Sequence, residues 1–443
     1  MKKDMSQGHQ NALDLAAQVV ETAKKLGAGD ALASLRMSRG IETQVREGKV
    51  EKLQESQSAG LTVHLYVDGR YAAHTTSDLR KAELESFLKD AIGLTRMLDA
   101  DPERCLPDAS LCLKKSAELP LFDAKYGSLD SDARKHLALA AEEAGRSDRR
   151  IVSATANFSD EDGTWALCAS NGIHAAQRST SYHLSAEVTA TDGDKRPEDW
   201  WYVGGRSLAD LGKPESVGRL AAERALTRIG ARKYASGEQV LLVENRAAGR
   251  LLSHYLQALN GANLQQKRSF LDGQLGKPVM SPLVTLREEP HLPGALGSRS
   301  FDREGMAAQA FAVIEGGVLR NFYLDWYYAK KLKDKPTTGT TSNLICTPGT
   351  ASFDKLLAGV ERGILVTAFN GGNSNSLTGD FSLGIQGRLI EKGALAAPVT
   401  EMNLTGNHKT FWNKLVALGA DPYVFSSLRL PSLRFDGAAV AGS

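Results

Sequence analysis

The sequence predicts an α+β protein in two parts. Residues 1–230 read as an N-terminal two-layer α/β domain with antiparallel strands and helices, and residues 238–443 as a C-terminal strand-rich, antiparallel, barrel-like or sandwich domain. Three observations predict this. In the first half, windows with apolar residues at helical spacing interleave with alternating windows joined by hairpin turns, which argues against a parallel βαβ series. Beyond residue 237, glycines punctuate strand-like text at Gly316-Gly317, Gly371-Gly372, Gly379, Gly384, Gly387 and Gly393, as short strands and tight turns require. Between the halves lies GARKYASG, Gly230–Gly237, which reads as a linker.

Residues 11–27 carry Leu13, Ala16, Val20, Ala23 and Leu26 on one helical face, with Gly27 closing the helix. Strands are expected at 31–39, 41–46 and 61–67, with Glu47-Gly48 as a break. Asp68-Gly69 is a type I′ hairpin signal leading into 70–76. A second helix is expected behind Ser77 or Asp78 as N-cap, running to Leu98 with Leu84, Phe87, Leu88, Ala91 and Ile92 inward. After a Pro-bearing connection over 101–120 comes a third helix at 128–145. Two strands then bracket Asn171-Gly172, the second continuing to Ala190, and a fourth helix behind Pro214 ends at Gly230. The apolar run Val240–Val243 reads as a buried strand, and the helix that follows, Arg246–Asn260, repeats Leu251, Leu252, Tyr255, Leu256 and Leu259 before Gly261 as C-cap residue.

A chain of 443 residues is long enough for two cores, and 42% hydrophobic with 24% charged residues is the composition of a soluble globular protein. The 54 basic and 52 acidic residues leave a net charge of +2, which makes no electrostatic case for nucleic acid. KKLKDK, Lys330–Lys335, is interrupted by Asp334 and reads as a solvated helix end. Cys105, Cys112, Cys168 and Cys346 are scattered without a CxxC pair, as reduced thiols are. MKKDMSQGHQ is polar and the segment after it reads as an amphipathic helix, without the continuous apolar core or small-residue cleavage site expected of a signal peptide, and no run reaches the roughly 20 apolar residues of a membrane span. The cytoplasm is the expected compartment and no membrane partner is expected. There is no internal repeat and no low-complexity segment.

The helix over 246–260 is informative for what it lacks. Zinc needs several neutral imidazoles, thiolates or carboxylates converging at bonding distance. This helix offers one histidine, His254, with Ser253 before it and Ala258 beyond, so it cannot hold zinc by itself. No GxSxG elbow, GxxxxGK[ST] loop or Rossmann fingerprint occurs, and Ser253 and His254 are helical neighbours pointing apart, so neither serine hydrolysis nor nucleotide binding is supported.

Residues 264–328, opening LQQKRSFLDGQLGKPV and closing NFYLDWYY, combine with Ser376–Val399, SLTGDFSLGIQGRLIEKGALAAPV, and Thr405–Asp421, TGNHKTFWNKLVALGAD. These long, ordered motifs resemble the TldD/PmbA family, once described as modulators of DNA gyrase and understood as cytosolic metallopeptidases. The resemblance covers nearly the whole C-terminal half and, more loosely, the N-terminal half. The family has two kinds of subunit. The TldD kind carries HExxxH on this helix plus a late cysteine as zinc ligands. In register, this chain has Ser253 and Ala258 at the histidine positions and His254 at the glutamate, and Tyr423–Leu430 contains no cysteine. That is the pattern of the PmbA (TldE) kind. The resemblance implies no cofactor in this chain, zinc in a TldD-type paralogous partner, and a heterodimer that degrades or matures short or unfolded peptides.

Asn370–Thr378, NGGNSNSLT, is polar and glycine-rich for a connection between strands. Read alone it is a surface loop. The resemblance makes it the border of a peptide groove, with Asn370, Gly371, Gly372 and Asp380 as candidates and Asn373 and Asn375 offering amides. Asp380 at a strand start reads as an acceptor of local hydrogen bonds, and His254 as a structural histidine. His291 and His408 have no ligand spacing to it. Two other readings stay open: a stand-alone peptide-binding homodimer, and a peptidase with an unrecognised metal site.

Overall fold

The structure is a computed structural model that describes residues 2–442. Its first half is one six-stranded sheet, wholly antiparallel, built from β1 (Asp30–Arg46), β2 (Lys49–Val67), β3 (Arg70–Thr76), β4 (Ile151–Ala169), β5 (His174–Ala190) and β6 (Glu198–Gly205) in the order β3-β2-β1-β4-β5-β6. Four helices cover one face: α1 (Lys2–Lys25), α2 (Lys81–Thr95), α3 (Ser131–Gly145) and α4 (Pro214–Leu226). The pleat explains the division. Ala31, Ala33 and Leu35 of β1 and Leu61, Val63 and Leu65 of β2 are buried beneath α1 and α2. Ala154, Ala156 and Phe158 of β4 and Leu184, Ala186 and Val188 of β5 are buried beneath α3 and α4. The opposite, helix-free face carries Ser38, Ser58, Glu161 and Ser179 and turns toward the second half of the chain.

Local chemistry accounts for the ends of these elements. Gly27, at φ 102°, closes α1, with Ala28 N–H bonded back to Ala23 at 3.0 Å. Asp68 (φ 52°) and Gly69 (φ 74°) form the expected I′ turn. Glu47 (φ 52°) and Gly48 (φ 68°) form a second such turn, so the break expected there is a hairpin. Several expectations need correcting: α4 ends at Leu226 rather than Gly230, residues 227–230 forming a turn. The strands expected at 31–39 and 41–46 are one, and β2 starts at Lys49 rather than 61, because its first ten residues are exposed and show no apolar alternation. α2 starts at Lys81 and ends at Thr95, since Asp78 spends its carboxylate on Arg80, accepting from the backbone N–H at 3.1 Å. The lysine-rich end of the Trp326–Leu332 helix is not wholly solvated: Lys331 pairs with Asp101 at 3.0 Å and Lys330 with Glu103 at 3.4 Å.

The second half centres on a barrel. Its strands are β7 (Gly237–Val243), β8 (Arg362–Ser374), β9 (Asp380–Glu391), β10 (Ala394–Asn407), β11 (Leu415–Leu418) and β12 (Leu433–Ala441), in the order β10-β9-β8-β7-β12-β11. β10 also pairs with β12, which closes a five-stranded ring. The ring is antiparallel except between β7 and β8, which run parallel. A smaller sheet of short strands, residues 286–288, 311–315, 318–319, 344–346 and 428–429, shares one apolar core with the barrel. α5 (Asn245–Leu256) runs through that core, with Leu251, Leu252 and Tyr255 fully buried. The helix ends earlier than its periodicity suggests. Gln257–Leu259 is a 3₁₀ turn, and Gly261 opens a new short helix capped by Asn260 instead of closing α5. A Cβ there would lie 2.8 Å from Tyr328 Cβ, so glycine serves packing at this position. All four cysteines are free thiols.

Candidate functional site around α5 and the β8 edge

The buried run of β7 delivers the chain to α5, which places Arg246, Arg250, Ser253 and His254 along one side. Ser253 donates its hydroxyl to the Arg250 carbonyl at 2.8 Å, and Ala258 is fully buried in the 3₁₀ turn. His254 is half-buried, and its Nε2 has no hydrogen-bond partner. Burial first, and the Arg250 charge second, push its pKa below the usual histidine value.

Folding brings His408 beside it, although 154 positions separate the two in the chain. Asn407, last residue of β10, caps the short helix that begins at His408. The imidazole is fully buried against Phe381 (ring centroids 4.5 Å), Phe270 (5.8 Å) and Tyr255 (5.8 Å). Trp412 Nε1 donates to His408 Nδ1 at 3.3 Å, and Ser374 Oγ lies 3.1 Å from Nε2. An indole N–H can only donate, so Nδ1 is the acceptor and Nε2 carries the proton toward Ser374. Desolvation, helped by the His254 charge, lowers the His408 pKa to about 4, so the ring is neutral at physiological pH.

The donors present do not fit zinc. His408 has no lone pair left, Ser253 is engaged with its own helix, and Ala258 brings no donor. Only His254 could ligate, and among the described residues no group of three or more His, Cys, Asp or Glu could hold a metal. His291 is exposed on a separate turn.

The segment Asn370–Thr378 is not the loop its composition suggests. β8 continues to Ser374, with a bulge between Asn370 and Asn373, and only Asn375–Gly379 turns. Gly371 (φ 64°) and Gly372 (φ 109°) form that bulge. Their roles differ. A Cβ on Gly371 would meet nothing within 4 Å, whereas one on Gly372 would sit 2.4 Å from Ser382 O of β9. The room at Gly372 is therefore used by the protein's own sheet. Asn375 holds its turn together, accepting from Leu377 N–H at 2.9 Å. Asp380 accepts from Asn407 Nδ2 at 2.7 Å, and hydrogen bonding with Thr378 and Asn407 holds its carboxyl below the usual range.

β8 has a free edge. It pairs with β9 along its length but with β7 only over residues 363–366. From Thr367 to Ser374 the other edge carries no ladder partner among the described residues, although the Thr367 carbonyl accepts from Arg224 at 3.3 Å and from Arg246 at 3.4 Å. That edge borders a cavity of about 520 Å³, walled by Phe369, Asn370 and Gln386 on the barrel and by Arg246 and Arg250 on α5, with Trp200 of β6 opposite. Asn370 donates to Gln386 Oε1 at 2.6 Å, and the Arg246 guanidinium lies 4.4 Å over Trp200. Trp200, Arg250 and Gln386 escaped the sequence reading. The aromatic cluster Trp200-Trp201-Tyr202 was the available signal, since Trp200 is exposed.

Three family models match the chain in order: PmbA/TldA metallopeptidase domain 1 at residues 33–94, the central domain at 125–229 and the C-terminal domain at 236–442. The chain belongs to the PmbA/TldD metallopeptidase family. Among relatives of this family it is 29% identical to the metalloprotease PmbA of Escherichia coli O157:H7, over 96% of each chain. It is 26% identical to a TldD homologue of Haemophilus influenzae over 59% of this chain and 58% of the relative. A Bacteroides thetaiotaomicron structure described as a candidate modulator of DNA gyrase superimposes with a TM-score of 0.93 at 42% identity, covering 97% of this chain and 98% of the other. TldE from Thermococcus kodakarensis shares the PmbA/TldD fold with a TM-score of 0.86 at 18% identity, covering 97% and 100%. Among the described residues no helix is long and apolar enough to cross a membrane.

Proposed function

We propose that this chain is the non-catalytic partner subunit of a cytoplasmic TldD/TldE-type heterodimeric zinc metallopeptidase that degrades or matures short or unfolded peptides. In this reading the TldD-type paralogue brings zinc and the catalytic glutamate, and this chain brings a wall that holds the peptide. The observation that carries it is the free edge of β8, whose residues 367–370 border α5; Ser253 on that helix and Ala258 in the turn that follows it stand at the zinc-histidine positions of the resemblance. An unpaired edge offers main-chain donors and acceptors to any extended peptide, so it grips what all peptides share. Gly371 leaves open space at the bulge, and Asn370 and Gln386 present amides along it.

The test is reconstitution. The chain is mixed with a paralogue carrying HExxxH, and association and cleavage of an unstructured peptide are followed with and without a zinc chelator. The expected outcome is co-elution and chelator-sensitive cleavage by the mixture, with none by this chain alone. Chelator-sensitive cleavage by this chain alone would overturn the partner reading, as would a mixture that neither associates nor cleaves.

A further inference from the structure

A second cavity, of about 510 Å³, lies away from α5, between the helix-free face of the N-terminal sheet and the loops 297–303 and 340–341. Four arginines line it: Arg36 of β1, Arg206 just past β6, and Arg299 and Arg303 from the second half of the chain. Glu161 is the one carboxylate among the lining residues. None of the four arginines takes part in the ion pairs found among the described residues.

The two inner arginines are fixed by neutral groups. Arg206 donates to Thr180 O at 3.1 Å and to Leu296 O. Arg299 donates to Thr340 Oγ1 and Thr338 Oγ1, each at 3.1 Å, and to Thr340 O. In each of them Nε is buried without a partner. Glu288 attracts Arg299 from a distance, but its own oxygens are taken by Ser342 N–H and by Tyr323 O–H at 3.0 Å. The two outer arginines are exposed at the rim. Arg36 lies 4.3 Å over the Trp165 ring, which orients its guanidinium, and it is repelled by Arg303.

The carboxylates that reach these arginines, Glu161 toward Arg206 and Glu288 and Asp302 toward Arg299, are fewer than the four guanidiniums and form no ion pair with them, so the cleft keeps a positive balance on the space it encloses. Guanidinium is also the group whose planar fork matches an oxyanion in bidentate fashion. We infer that this cavity binds a ligand carrying two or more closely spaced oxyanions, and that the adjacent carboxylates of an acidic peptide segment are what it takes. The inference does not depend on the β8 edge holding a peptide. The same chemistry could come from a pyrophosphate-like group, and the experiment separates the two sources.

Isothermal titration of the full chain at low salt uses three probes: a capped tri-glutamate peptide, its tri-glutamine counterpart and inorganic pyrophosphate. The expected result is binding of the tri-glutamate peptide but not the tri-glutamine one, weakening with added salt. The double variant R36Q/R303Q, both rim positions, should keep the wild-type melting temperature and lose tenfold or more in affinity. E161Q should bind more tightly than wild type, because it removes the one carboxylate that lines the cavity. Pyrophosphate binding with the same variant dependence, and no tri-glutamate binding, would keep the oxyanion site but overturn the acidic-peptide source. Binding of neither anion, or binding indifferent to R36Q/R303Q, overturns the site itself.

Discussion

Trp412 gives its indole N–H to Nδ1 of His408 at 3.3 Å, and that bond fixes the tautomer of a histidine standing next to His254. The consequence is a signed pH dependence. The folded pKa of His408, about 4, lies below the value of 6.5 expected in the unfolded chain. Above pH 6.5 both states are neutral and the full stability is present. As pH falls from 6.5 toward 4 the unfolded chain takes up the proton first, and up to roughly 3 kcal/mol is lost. We expect His408→Gln to be less stable at pH 7.5 but to show a shallower loss between pH 6.5 and 4, as read by denaturant titration. An unchanged slope would remove His408 from the acid response.

Glu304 contributes with the opposite sign. Burial first, then the charges of Asp325 and Asp302, raise its pKa to about 8, from an ordinary value of 4.5. A folded state that holds its proton to higher pH is most stable below pH 4.5 and loses that contribution as pH rises through 8. Glu304→Gln keeps an acceptor for Trp326 N–H, which now bonds Glu304 Oε2 at 2.7 Å. The variant should therefore melt higher than wild type at pH 8.5 and close to it at pH 5. The reverse ordering would show Glu304 ionised in the folded protein throughout.

What the sequence made legible and what it did not divides along physical lines. Asp68-Gly69 announced its hairpin because only certain residues accept positive φ at both central positions. The α5 core positions were legible because Leu251, Leu252 and Tyr255 repeat at helical spacing and are fully buried. Lys49–Ser58 was not, because a strand exposed along its length has no reason to alternate. Gly261 misled because close approach of Tyr328 selects glycine as strongly as a helix end does. The groove candidates were named from the family resemblance, whereas the free β8 edge follows from pairing between distant segments. The His254–His408 neighbourhood, and the commitment of His408 to Trp412 and Ser374, are likewise products of tertiary structure that spacing does not encode.

The two bulge glycines should separate in their responses. Gly372→Ala places a methyl 2.4 Å from Ser382 O at φ 109°, and should cost roughly 2 kcal/mol or more of stability. Gly371→Ala keeps open space around the methyl and pays only the left-handed backbone penalty, about 1 kcal/mol. Gly371→Asn should cost less still, since asparagine tolerates that region. Thermal melts of the three variants check the order. If Gly371 borders bound peptide, Gly371→Asn should also raise KM in the reconstituted peptidase while leaving association unchanged.

S253H/H254E/A258H would restore the HExxxH pattern in register. Position 258, however, lies in the 3₁₀ turn beyond α5, where Ala258 is fully buried in the barrel core and its carbonyl accepts from Ser269 Oγ. An imidazole there overfills the core, and overpacking of this kind costs roughly 1–3 kcal/mol. A further ligand is missing as well. Tyr423–Leu430 has no cysteine, and Tyr423 is itself buried, with its hydroxyl bonded to Tyr202 O at 3.1 Å. The triple variant should therefore be destabilised and bind well under one zinc per chain by metal analysis, and wild type likewise. A triple variant that took up one zinc at wild-type stability would show that the core around Ala258 still accommodates the ligand geometry, and that the loss in this chain is confined to the side chains at 253, 254 and 258.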